Sequence, residues 1–136
     1  MVMDSVGIGG APDADLFFND GIQDTGSNTV LHIAEQCAYG KANIDRFGPL
    51  KIPNLSSLGL GEAISLSCGR KAPGLECSPQ GKWGVATETS KGKDTPSGHW
   101  ELAGLPIDWD WHFFSKKTHS FPKDLIEIVC NISGTS

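Results

Sequence analysis

Seventeen glycines and eight prolines are spread through 136 residues, well above the roughly 12 % that these two types contribute to an average protein. Glycine weakens the interior of helices and strands, and proline removes a backbone donor, so a chain punctuated this often cannot build long regular elements. It must be assembled from short helices and strands joined by turns. The length is that of one ordinary domain and suffices for a usable core.

Charge narrows the partners. A net charge of -5 and a pI near 5.2 argue against nucleic acid or an anionic membrane as the main target, since both require a basic face. Any phosphate must be met locally, by backbone N–H groups or by a divalent cation. Cys37, Cys68, Cys77 and Cys130 are widely separated and form neither a C-x-x-C pair nor a dense disulfide framework, so they read as reduced thiols. Cys37 and Cys130 fall on apolar faces of expected helices. With no apolar run near the roughly 20 residues of a membrane span and no signal-peptide pattern, the expected location is cytoplasmic.

The pattern of elements mixes short helices and strands. Residues 1–3 read as the end of a buried strand closing at Asp4, followed by an exit through Gly7, Gly9 and Gly10. Pro12 to Gly26 reads as loop. Ser27 or Asn28 caps a helix whose Val30, Ile33, Ala34, Cys37 and Ala38 share one face, ending at Gly40. Pro53 opens a short helix through Leu58, stopped by Gly59. Leu60 to Gly81 lacks a clear period and reads as a surface excursion. Trp83, Val85 and Thr87 alternate, which predicts a strand over residues 82–88. Asp108 to Phe114 reads as a strand-like aromatic segment, and Ser120 to Asn131 as a helix with Leu125, Ile126 and Val129 on one face.

The segment Gly92-Lys93-Asp94-Thr95-Pro96-Ser97-Gly98-His99-Trp100-Glu101 carries the chemistry. Thr95 is a hydroxyl nucleophile that needs a metal, a base or a helix N-terminus to be activated. Pro96 suits a first helical turn, which places Thr95 at the N-cap of a helix reaching Leu102 or Ala103 and offers a phosphoryl group free N–H donors. Capping alone explains the same residues. Lys93 and His99 are candidates for the same pocket or ordinary surface groups; Glu101 reads as a plain helix carboxylate and Trp100 as core. Asp4, at a strand end before glycines, suits a cation or phosphate as well as it suits a turn.

His32, His112 and His119 lack metal-ligand spacing, and Trp109, Trp111, Phe113 and Phe114 lack the basic stripe of a base-stacking platform. The Gly7–Gly10 cluster is not a complete dinucleotide fingerprint.

Five ordered motifs add a resemblance. Val2-Met-Asp4-Ser-Val-Gly-Ile-Gly9, Ala11-Pro-Asp-Ala-Asp15, His32-Ile-Ala-Glu35, Ile52-Pro-Asn-Leu55 with Leu58-Gly-Leu-Gly61, and Gly92 to Glu101 resemble the phosphopentomutase family. The similarity runs from the start through about residue 126, including Phe113-Phe-Ser115 and Ser120-Phe-Pro122.

That resemblance implies an alkaline-phosphatase-like α/β core interrupted by a cap, here partial: residues 1–106 as core and 107–136 as the start of the cap. It implies two Mn²⁺ ions, with Asp4 and Thr95 as metal-binding residues and Thr95 as the phosphorylated threonine. The implied substrate is a pentose phosphate, ribose or deoxyribose 1-phosphate interconverted with the 5-phosphate. Family members are far longer, and residues 128–136 depart from the family's continuation, so the chain reads as an amino-terminal fragment. Two alternatives stand beside this: a non-catalytic remnant that acts only in binding, and a related metal-dependent phosphomutase or phosphatase.

Overall fold

The computed structural model describes residues 2–42, 45, 47–92, 94–114 and 119–135. They form a mixed α and β arrangement in two compact units, Met1–Glu88 and Thr89–Ser136.

The first unit opens with Val2 and Met3 exposed and outside any strand, and Asp4 and Ser5 in a turn with Ser5 at φ 59°. The expected buried strand is therefore absent, because an apolar run becomes a strand only when neighbours satisfy its N–H and C=O groups. Instead the chain is pinned just beyond, at the Ile8 carbonyl, which accepts from Asn28 Nδ2 at 2.8 Å and from the Ser67 hydroxyl.

The stretch expected to be loop carries a 3₁₀ turn, Ala14–Leu16, and the one sheet among the described residues. Strands β1 (Phe18–Asn19) and β2 (Ile22–Gln23) are antiparallel, with Phe18 opposite Gln23 and Asn19 opposite Ile22. Asp20 and Gly21 supply the two positive φ values, 50° and 81°, of a two-residue hairpin turn. That Asp-Gly pair was the available sequence signal.

Helix α1 (Thr29–Ala38) starts where Asn28 caps it, accepting the Leu31 amide at 3.1 Å, and ends at Gly40 with φ 67°, where Lys41 N–H returns to the Gln36 carbonyl at 2.8 Å. Its buried face is Val30, Leu31, Ala34 and Cys37. Ile33, expected inside, is 47 % exposed, and Leu31 takes its place at 1 %. The face turns because these four residues cluster with Leu50, Ile64, Ala72 and Leu75 to form the core. Fully burying an aliphatic side chain of this size contributes roughly 1.5–3 kcal/mol.

Helix α2 (Pro53–Ser57) begins at its proline as expected. Leu60–Cys68, expected to be a surface excursion, is helix α3. Gly59, at φ 101°, lets α2 stop and α3 start one residue later, and Gly69 at φ 71° closes α3. The chain then folds back. Trp83 packs over Gly59, and the Gln80 amide reaches the Ser57 carbonyl at 2.8 Å. Residues 82–88 do not form a strand, so the Trp83, Val85 and Thr87 alternation defines a side-chain pattern but no ladder.

The second unit contains α4 (Thr95–Leu102) and α5 (Lys123–Ser133). Lys91, before α4, donates its N–H to the carbonyl of Ile107, after α4, at 3.1 Å, and Ile107 is 1 % exposed. Residues 108–114 are irregular rather than strand-like, held by edge-to-face contacts among Trp100, Trp109 and Trp111. Helix α5 follows Pro122 and ends at Gly134. Its expected apolar face is not buried: Ile126 and Val129 are 45 % and 55 % exposed. Among the described residues no helix is long and apolar enough to cross a membrane.

Candidate functional site

Thr95 lies at the first position of α4 and is exposed. It is one residue inside the expected cap, because Asp94 takes that role: its backbone is extended, at φ -141° and ψ 160°, and its Oδ1 accepts the Ser97 amide at 2.9 Å. A carboxylate caps better than the threonine behind it, since the charge also complements the positive helix end.

This arrangement alters the expected anion cradle. Pro96 has no N–H. The Ser97 amide is given to Asp94 Oδ1, and the Gly98 amide makes the first helical bond to the Asp94 carbonyl at 3.2 Å. The donors of the first turn are thus largely engaged, and a negative side chain already sits at the cap.

Asp94 is equally committed. Its Oδ2 accepts the Ser97 hydroxyl at 2.8 Å, so both carboxylate oxygens are held by one residue. Ser97 is fully buried and its Oγ also accepts the Trp111 indole N–H at 2.8 Å. His99 does not turn toward Thr95's hydroxyl side chain. Its Nδ1 donates to the Thr95 carbonyl at 2.8 Å, one helical turn back. Lys93 lies outside the described residues.

Glu101, expected to be a plain helix carboxylate, is a clamp. It accepts the Thr89 amide at 2.8 Å, the Thr89 hydroxyl at 3.0 Å, the Ser90 amide at 2.8 Å and the Ser90 hydroxyl. The Ser90 hydroxyl bond, followed by the Thr89 amide, holds its carboxyl down to about 2. The sequence signal was the Thr89-Ser90 pair, whose two hydroxyls and two amides match one carboxylate. Trp100, expected in the core, is 45 % exposed, because α4 buries its Ser97 side rather than an aromatic one.

Asp4 belongs to the first unit, exposed in its turn, with Oδ1 accepting the Ser5 amide at 3.0 Å. The same unit holds a cleft of about 390 Å³, lined by Gly9, Gly10, Asp15, Gly26, Asn28 and Arg70 among others. Asp4 is not part of its wall, and Arg70 is paired with Glu35. Among the described residues no three His, Cys, Asp or Glu side chains come together as a metal site. A divalent cation such as Mg²⁺ takes about six oxygen ligands; Asp4 and Thr95 would supply a minority of such a shell. These residues alone do not fit the two Mn²⁺ ions that the resemblance implies.

Comparison with known proteins decides the relationship. The sequence is 52 % identical over 132 residues to a phosphopentomutase of Hahella chejuensis, covering 95 % of this chain and 31 % of that protein. It is 50 % identical to one of Vibrio campbellii and 49 % identical to one of Yersinia pestis, in each case over 98 % of this chain and about a third of the relative. By sequence this chain is similar to one part of the phosphopentomutases. It spans about a third of the length of these phosphopentomutase relatives. No family model matches it.

Proposed function

We propose that this chain supplies the threonine-bearing part of a phosphopentomutase, an isomerase that interconverts ribose or deoxyribose 1-phosphate and 5-phosphate. The observation that carries the reading is identity near 50 % to phosphopentomutases over almost the whole chain. In this reading residues 1–106 belong to an alkaline-phosphatase-like core and 107–136 open a cap.

Thr95 is the proposed phosphoryl carrier. Its exposure at the first position of a capped helix supports that role, because the hydroxyl is reachable while its backbone is held. The phosphoryl group leaves phosphorylated Thr95 Oγ for the free hydroxyl of the pentose monophosphate, and the proton of that hydroxyl ends on Thr95 Oγ. The resulting bisphosphate returns its other phosphoryl group to Thr95 Oγ, and the Thr95 proton goes to the sugar oxygen set free. No water is consumed, and the sugar leaves with its phosphate on the other carbon. Asp94 does not serve as the base in this scheme, since both its oxygens are engaged by Ser97. Asp4 is the proposed cation-facing carboxylate.

Incubating a chimaera, in which this chain replaces the matching third of the Hahella chejuensis phosphopentomutase, with ribose 1-phosphate and Mn²⁺ tests the proposal. Ribose 5-phosphate should form, with phosphate found on Thr95 by mass spectrometry, and Thr95→Ala should abolish both. Turnover that survives Thr95→Ala rules the reading out.

A second reading, a non-catalytic binding protein, is favoured by the lack of a three-ligand cluster among the described residues. Pentose phosphate bound without conversion would select it.

A further inference from the structure

Ser97 makes more bonds than a capped helix needs. The cap requires only its amide on Asp94 Oδ1, at 2.9 Å, and alanine would supply that equally well. Yet the side chain is fully buried, and its hydroxyl uses its one proton on Asp94 Oδ2 and a lone pair on the Trp111 indole N–H, both at 2.8 Å. Trp111 comes from the irregular segment that follows α4. Gly92 closes the third side: a Cβ there would lie 2.5 Å from Asp94 Oδ2, from Ser97 Oγ and from Trp111 Cδ1. Gly92, Asp94 and Trp111 therefore meet at the Ser97 hydroxyl, and the two residues bracketed between Asp94 and Ser97 are Thr95 and Pro96.

We infer that Ser97, locked by the Trp111 indole, is the positioning residue for Thr95. Pro96 has its φ fixed by its ring, and Asp94 and Ser97 are tied to each other through two bonds, so Thr95 has little backbone freedom left. Because backbone φ and ψ restrict which side-chain rotamers are allowed, holding the backbone narrows the positions open to the hydroxyl. Thr95 remains open to solvent while its mounting is buried. The same bonds neutralise Asp94 as a competing acceptor beside the nucleophile. The functional half of this inference rests on the reading of Thr95 as phosphoryl carrier; the geometric half does not.

The test uses the labelled 136-residue chain, native and with Ser97→Ala, Ser97→Thr and Trp111→Phe. In the native chain, side-chain couplings should report one Thr95 χ1 rotamer and a protected Trp111 indole N–H. In Ser97→Ala the rotamer should average and indole exchange should rise roughly five-fold or more, as expected for one lost hydrogen bond. Trp111→Phe should give the same Thr95 averaging with the cap amide of Ser97 still protected. Ser97→Thr, which keeps the hydroxyl, should restore the single rotamer. Where mutase turnover is present, Ser97→Ala should lower kcat by up to about 100-fold with KM nearly unchanged. Unchanged Thr95 couplings in both Ser97→Ala and Trp111→Phe would overturn the inference. Absence of turnover in the chimaera counts against the mutase reading alone, because the couplings are measured without substrate.

Discussion

Glu101 accepts from Ser90 twice, through the amide at 2.8 Å and through the hydroxyl, and that hydroxyl oxygen takes the Ile107 amide at 2.9 Å. One carboxylate thereby fastens the end of α4 to the strand of chain that precedes it and, through Ser90, to the buried Ile107. The carboxyl titrates at about 2 when folded, against an ordinary value of 4.5. Its folded value is depressed, so the stabilisation is complete above pH 4.5 and is lost as the pH falls through 2. A carbon-13 titration of the Glu101 carboxyl should show a midpoint near 2. A midpoint near 4.5 would mean that the clamp is open in solution. In Glu101→Gln the amide group faces hydroxyl and N–H donors, so protection of the Thr89 and Ser90 amides should fall at neutral pH.

Gly92→Ala should destabilise the second unit. The added methyl would meet Asp94 Oδ2, Ser97 Oγ and Trp111 Cδ1 at 2.5 Å, and a buried overlap of this kind typically costs about 1–3 kcal/mol. A lower denaturant midpoint, with increased exposure of Trp111 by fluorescence quenching, is the expected result.

Asn28→Ala should weaken the first unit. It deletes the cap on Leu31, worth about 1 kcal/mol, together with the bond from Asn28 Nδ2 to the Ile8 carbonyl. Hydrogen exchange should rise at the start of α1 and in the loop of residues 7–10 together, and a rise confined to α1 would contradict the coupling.

Two glycine replacements should have opposite signs. Gly98 lies inside α4 with no neighbouring atom within 4 Å of an added Cβ, so Gly98→Ala should stabilise by about 0.5–1 kcal/mol. Gly59 has φ 101° and the Trp83 ring 2.5 Å from an added Cβ, so Gly59→Ala combines backbone strain with overlap costing about 1–3 kcal/mol. Thermal midpoints of the two variants should move up and down respectively.

The parts of this fold that were legible in the sequence are those governed by local chemistry. Asn28 capping α1, Gly40 ending it, Pro53 opening α2 and Pro96 opening the helix beside Thr95 all act within one turn of where they stand. Helix α3 was hidden because Gly61, Ser65 and Ser67 blur its period, and it exists because Ala63 and Ile64 are buried. The strands expected at residues 1–3 and 82–88 failed for the converse reason: apolar alternation says which side chains face together, while a strand also needs a partner ladder. At the candidate site, Thr95 and Asp4 were visible as residue types. The bond between Trp111 and Ser97 was not, because the indole reaches back to Ser97 from beyond α4.

The core of the first unit draws its residues from α1, from Leu50, from α3 and from Ala72 and Leu75. Helix α1 leaves the ribosome before the rest of this core, and its apolar face is not fully closed upon until Leu75 has also emerged. Nascent chains cut before that point would carry Val30, Leu31 and Ala34 uncovered, which makes them substrates for chaperones and for aggregation. The order of synthesis thus sets a window of vulnerability some forty residues long, from the end of α1 to the residue that seals it.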